Sequence, residues 1–131
     1  QLKNYLEELV SYINEMINAE ALPIQFKLSI QNVIITPTQA IAIGMITSEL
    51  ISNAIKYAFE NEDKPCITLD FAKQPNGECK YTVNDNGKGY AVNLNNNKLG
   101  MRLIDIFSRQ LKGNYTFENK QGLTYTIIFK L

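Results

Sequence analysis

Apolar residues recur every three or four positions at the start of the chain. Leu2, Leu6, Leu9, Ile13, Met16 and Ile17 predict an amphipathic helix over Leu2–Ala19, ended by Leu22-Pro23. The period then drops to two. Ile24, Phe26, Leu28 and Ile30 alternate with Gln25, Lys27, Ser29 and Gln31, as in a strand with one buried face. Val33–Ile35 is a short approach to the next element. Thr36–Phe59 is the longest apolar stretch and opens as a helix should: Thr36 can cap, Pro37 suits the first turn, and Gln39 completes a capping box. Its apolar residues go nearly all the way round, as in a helix buried on several sides.

Beyond that helix, Glu60–Lys64 is a polar loop. Ile67, Leu69 and Phe71 alternate with Thr68 and Asp70 in a strand over Cys66–Ala72. A Gln74–Gly77 turn leads to a partner strand over Cys79–Asn84. Asp85–Gly89 reads as a turn and Tyr90–Lys98 as an asparagine-rich mobile loop. Leu99–Leu111 is a second long helix, with Leu103, Ile104, Phe107 and Leu111 facing inward and Lys112-Gly113-Asn114 as its stop. Tyr115–Glu118 and Leu123–Leu131 form a closing hairpin. Strand pairs alternating with single helices predict an α/β sandwich, a mixed sheet with helices layered on one face.

The 131 residues suit one domain, and 45% hydrophobic with 20% charged is ordinary for a globular chain. Position 1 is Gln rather than Met, which points to a piece of a longer protein; the leading helix, residues 1–20, can continue one upstream. Thirteen basic residues balance thirteen acidic ones. No broad field therefore draws in nucleic acid or an anionic membrane. No apolar run is long enough to span a bilayer. The predicted hairpin pairs Cys66 near Asp85 and Cys79 near Ala72. Their sulfurs then lie on the order of 20 Å apart, beyond disulfide reach. Free thiols point to a reducing, cytoplasmic setting. The chain has no histidine, which removes histidine-based catalysis and most transition-metal chemistry.

Three stretches carry candidate chemistry. On the central helix, Ala42, Met45 and Ile46 form one stripe that continues as Glu49, Asn53 and Lys56. This stripe is either a solvated edge or a pocket wall. In a pocket, Glu49 could act on a proton or water, the Asn53 carbonyl oxygen could bind Mg²⁺, and Lys56 could meet phosphate. In Asn84-Asp85-Asn86-Gly87-Lys88-Gly89, an aspartate leaves a strand before two glycines. It is either an ordinary turn or the floor of a pocket, where Asp85 accepts from an exocyclic amine. In Lys98-Leu99-Gly100-Met101-Arg102, a glycine opens a helix whose N-terminal N–H groups suit phosphate, or simply permits the turn.

Together, Glu49-x-x-x-Asn53-Ala54-x-Lys56-Tyr57, Asp85-x-Gly87-x-Gly89 and Leu99-Gly100-Met101 resemble the N box and the two G boxes of the GHKL ATP-binding superfamily. The chain looks like the catalytic ATP-binding domain of a bacterial sensor histidine kinase. Gly44-Met45-Ile46, Leu99–Ile104, Leu111-Lys112-Gly113 and Asn4-Tyr5-Leu6-x-x-Leu9 extend the likeness over essentially the whole chain. The resemblance implies a Bergerat-type fold with a mostly antiparallel sheet, and ATP and Mg²⁺ as ligands. It implies that Glu49 is a general base or orienting carboxylate, that Asn53 binds Mg²⁺, and that Lys56 and Tyr57 contact phosphate and line the pocket. It gives Asp85 the adenine amine, places Gly87 and Gly89 against the base, makes Tyr90–Lys98 the ATP lid, and turns Lys98, Leu99, Gly100, Met101 and Arg102 toward the phosphates.

The sequence departs from the pattern in three places. It lacks the phosphoacceptor histidine, its second G box has the single glycine Gly100, and its lid is short. The resemblance implies that the histidine stands on a dimerisation domain elsewhere, in a homodimeric parent that serves a response regulator. Two other readings fit the same boxes: a compact serine kinase like the anti-sigma factor kinases, and a nucleotide-binding module without catalysis.

Overall fold

The computed structural model describes residues 1–18, 23–59, 64–88, 98–119 and 121–131; at Ile17, Asn18, Tyr57 and Lys98 it describes the backbone alone. Helix α1 spans Leu2–Asn18, strand β1 Gln25–Ile30 and helix α2 Pro37–Asn53. A π-helical turn, Ala54–Ala58, follows α2. Strands β2 (Cys66–Lys73) and β3 (Glu78–Asp85), helix α3 (Lys98–Gln110), and strands β4 (Asn114–Asn119) and β5 (Leu123–Lys130) complete the order. The strands form one sheet in the order β1-β2-β3-β5-β4. Only β1–β2 is parallel; the other three pairings are antiparallel. The mixed sheet expected from the sequence is therefore present.

Alternation decides which face of the sheet is covered. Ile67, Leu69 and Phe71 of β2, Cys79, Tyr81 and Val83 of β3, and Tyr125, Ile127 and Phe129 of β5 are all buried. The rings of Phe71 and Tyr81, directly opposite in the register, lie 6.0 Å apart. Helices α2 and α3 are tied to this face by hydroxyl pairs. Thr47 of α2 meets the Tyr81 hydroxyl at 2.7 Å, and Ser108 of α3 meets that of Tyr125 at 2.8 Å. The helix hydroxyls also donate to Ile43 O and Ile104 O one turn back. The helices thus lie on the covered face, as expected.

Burial pushes the Tyr81 and Tyr125 phenols above the ordinary tyrosine range. Both stay protonated in the folded chain at pH values where the unfolded chain ionises them, near pH 10. Unfolding then releases protons, so stability falls as pH rises above about 10. The slope is at most ~1.4 kcal/mol per pH unit per tyrosine. Urea titrations at pH 9, 10 and 11 should show this loss, and Tyr81→Phe should flatten it.

Thr36 caps α2 as its sequence predicts. Its Oγ1 accepts from Gln39 N at 3.1 Å, and its own N–H donates to Gln39 Oε1 at 3.0 Å. Three sequence expectations change. The helix expected to run to Phe59 ends at Asn53 and widens into the π turn. In α3 the buried residues are Gly100, Met101, Ile104 and Ser108, with Leu111 buried just past its end, while Leu103 and Phe107 are half-buried. Met16 of α1 is 60% exposed, whereas Val10 is buried. The β2–β3 register pairs Cys79 with Lys73, next to Ala72, and Ile67 with Asp85, one residue from Cys66, so the hairpin pairs as expected. Both cysteines are free and lie toward opposite ends of the hairpin, as the sequence predicted.

Candidate functional site

The candidate site lies where the end of α2, the end of β3, the start of α3 and the β4–β5 turn converge. Asp85 sits there for a simple reason. It continues the inward row Cys79, Tyr81, Val83, so strand alternation carries a carboxylate into the apolar face. It is 5% exposed. With Leu50, Ala54, Ile67, Val83 and Leu123 it lines a small cavity.

Two backbone N–H groups hold Asp85. Gly87 N donates to its Oδ1 at 3.0 Å and Leu123 N to the same oxygen at 3.3 Å. Burial raises the carboxyl above the usual carboxylate range, and the two hydrogen bonds oppose that rise. Because both bonds land on one oxygen, they fix the plane of the group and keep Oδ2 for another donor.

Close backbone approach explains two glycines. A Cβ on Gly87 would collide with the carbonyl oxygen of Ala58, the last residue of the π turn. Lys88 N donates to that same oxygen at 3.1 Å. A Cβ on Gly122 would collide with the carbonyl oxygen of Asp85, and Gly122 also has φ +99°. Sequence reasoning missed Gly122 and the Leu123 N–H as part of this site. Their signal was a turn glycine, but its partner is set by a register 38 residues away. Asn86, next in the chain, accepts from Cys66 N at 2.7 Å and donates to Lys64 O at 2.9 Å. That pair of bonds closes the other side of the turn.

The structure brings Asn53, near the end of α2, together with Met101, near the start of α3. Asn53, 1% exposed, is buried rather than on a solvated stripe. Its Nδ2 lies 3.8 Å from Met101 Sδ. Gly100 is buried beside it in sequence, and Glu49, one turn earlier on α2, is half-buried.

Other predicted residues are elsewhere. Lys56 is exposed on the π turn. It lines a groove between α1 and α2 with Leu9, Tyr12, Met16, Ser48 and Ser52. Leu99, 71% exposed, and Arg102 border a different groove, between α3 and β4. Asp105 there accepts from the Tyr115 hydroxyl at 2.7 Å and pairs with Arg109 at 2.9 Å. These bonds hold its carboxyl below the usual range, while burial and the Asp105 bond push the Tyr115 phenol up to about 12. Gly89 and the loop at 90–97 lie outside the described residues, as do the side chains of Tyr57 and Lys98. Among the described residues, no group of three or more His, Cys, Asp or Glu could hold a metal. No described helix is long and apolar enough to cross a membrane.

This sheet and its three helices are the fold of histidine kinase catalytic domains. The histidine kinase domain of a blue-light activated histidine kinase from Erythrobacter litoralis superposes with a TM-score of 0.87 at 24% identity; the match covers 99% of this chain and 65% of that one. The Acinetobacter baumannii histidine kinase AdeS gives 0.74 at 19% identity, over 98% of this chain and 64% of that one. Full-length ShkA in complex with AMPPNP gives 0.72 at 15%, over 98% and 29% respectively. The chain thus spans less than two thirds of each of these structures. No protein-family model matches the sequence, and no curated protein does.

Proposed function

We propose that this chain is the ATP-binding catalytic domain of a two-component sensor histidine kinase. It would transfer the γ-phosphoryl group of ATP to a histidine on a dimerisation domain outside this chain. The observation that carries the reading is Asp85, a carboxylate buried at the end of an apolar sheet face and oriented by two backbone donors on one oxygen. Such a group needs a ligand donor, and the adenine amine is one. The shared fold supports the reading, as does ShkA, whose structure holds an ATP analogue.

The other residues take roles from their places. Gly87 lines the base pocket, with Gly89 and Tyr57 assigned there by the motif. Gly100 and Met101 open α3 beside Asn53, where helix N–H groups face the phosphates. Lys98, Leu99 and Arg102 are assigned to the same phosphate end, and Lys56 to phosphate contact. Mg²⁺ fits the Asn53 oxygen, since it takes few protein ligands together with substrate phosphates and neutralises their charge. Glu49 acts on the attacking nucleophile. Phosphoryl transfer needs mainly positioning and charge stabilisation, which this set supplies. The parent protein would be a cytoplasmic or membrane-anchored homodimer that passes phosphate to a response regulator.

Asp85 also sets a preference. Guanine presents a carbonyl oxygen where adenine presents its amine, and two acceptors repel. Calorimetry should find ADP·Mg²⁺ bound at least ~30-fold tighter than GDP·Mg²⁺, about 2 kcal/mol. Equal affinities would remove Asp85 from the base site.

A further inference from the structure

Strand β3 ends at Asp85, and the bonds of the next residue, Asn86, show why. The β2–β3 register pairs Ile67 with Asp85, so the next step of the ladder would pair Cys66 with Asn86. A hydrogen-bonded pair in an antiparallel ladder exchanges two main-chain bonds. One of them forms: Asn86 N donates to Cys66 O at 3.1 Å. The return bond goes to a side chain. Cys66 N donates to Asn86 Oδ1 at 2.7 Å, and Asn86 Nδ2 donates to Lys64 O at 2.9 Å. The partners fix which end of the amide is which, because Cys66 N can only donate and Lys64 O can only accept.

A side-chain oxygen in place of a main-chain one changes the path of the backbone. The Asn86 carbonyl is released from the ladder, so the chain can leave the sheet directly after Asp85. Gly87 then turns back. Its N–H meets Asp85 Oδ1 at 3.0 Å, and it packs on Ala58 O, which Lys88 N also reaches at 3.1 Å. Closing the Cys66–Asn86 pair through the main chain would run β3 one residue further and carry Gly87 away from Asp85 Oδ1. Asn86 is exposed, so its side chain fills no core space. It contributes through its bonds.

We propose that Asn86 is a positioning residue for base selection. By taking the Cys66 N–H with its side chain, it ends β3 where Gly87 can orient the Asp85 carboxylate. The Asp85-x-Gly87 pattern leaves this position open. The role rests on the nucleotide-binding reading above, and it confines the effect of Asn86 to the base. The phosphate end, at Asn53 and the start of α3, stands on other elements.

The test is calorimetry of the wild type, Asn86→Ala and Asn86→Ser with ADP·Mg²⁺ and GDP·Mg²⁺, with thermal melts alongside. Asn86→Ala should bind ADP about tenfold more weakly and GDP within about twofold of the wild type, so the preference for ADP falls by about tenfold. Asn86→Ser, whose shorter hydroxyl serves one of the two partners, should fall between, and it decides the matter if the alanine variant does not fold. An unchanged ADP-to-GDP ratio, or equal weakening of both nucleotides as general loosening would give, overturns the positioning role and leaves the nucleotide reading standing. No nucleotide binding by the wild type, or equal affinity for the two, overturns the reading of Asp85 and the role of Asn86 with it.

Discussion

Asp85→Asn should weaken adenine-nucleotide binding by about 100-fold or more, roughly 3 kcal/mol, while leaving the protein at least as stable at pH 7. The asparagine oxygen can still accept from Gly87 N and Leu123 N, the two donors that hold Asp85 Oδ1. Its other branch becomes an NH₂ group. A donor then faces the adenine amine, so one hydrogen bond is lost and a second donor is left without a partner. Stability moves the other way. Burial raises the Asp85 carboxyl in the folded state. A raised carboxyl contributes stability below its unfolded value, near pH 4, and loses it as pH rises through the folded value. At pH 7 the wild type therefore holds a carboxylate at a cost that the amide avoids. The advantage of the variant should shrink on acidification. Thermal melts at pH 4 and 7, with ADP calorimetry alongside, read both effects. Retained ADP affinity in the variant would overturn the assignment.

Glu49→Gln should cut phosphotransfer by a factor of ~10²–10³ and change ADP affinity by less than about threefold. The amide matches the carboxylate in shape but cannot take a proton. Glu49 is half-buried one turn before Asn53, and in the proposed function it is the group that acts on the nucleophile. A group that acts on the nucleophile works in the transition state, so its loss appears in rate rather than in binding. The chain has no histidine. The assay therefore mixes it with the dimerisation domain of its parent, uses radiolabelled ATP, and scores acid-labile, base-stable product. Transfer should be slower than in the tethered parent because the effective concentration is lower. Undiminished transfer by Glu49→Gln would remove Glu49 from the chemistry. Acid-stable label on a serine would favour the serine-kinase reading.

Local chemistry was legible in the sequence, and long-range geometry was not. The Thr36–Gln39 capping box is a contact across three residues, and it formed as read. The row Cys79, Tyr81, Val83 has period two, and extending it by one step reaches Asp85. By contrast, no local pattern marks the π turn, whose last carbonyl, Ala58 O, accepts from Lys88 N, about 30 residues on. Ser108 is polar yet buried on α3, where the Tyr125 hydroxyl meets it from β5, a contact between residues 17 apart. Lys56 stands at the i+3 position from Asn53 and at the i+4 position from Ser52, and helical arithmetic alone could not say that the groove with Ser48 and Ser52 would be its place.

The Leu123 N–H that reaches Asp85 lies on the last strand, and Gly122 presses on the Asp85 carbonyl from the turn before it. During synthesis, the carboxylate of Asp85 is thus in the nascent chain well before its second backbone donor emerges. Adenine recognition would switch on late, after α1, α2, β2 and β3 can already pair and pack. A chain cut ahead of Leu123 would keep much of its helical signal and still lack the finished pocket floor. Protease nicking in the β4–β5 turn should therefore silence nucleotide binding before it unfolds the domain.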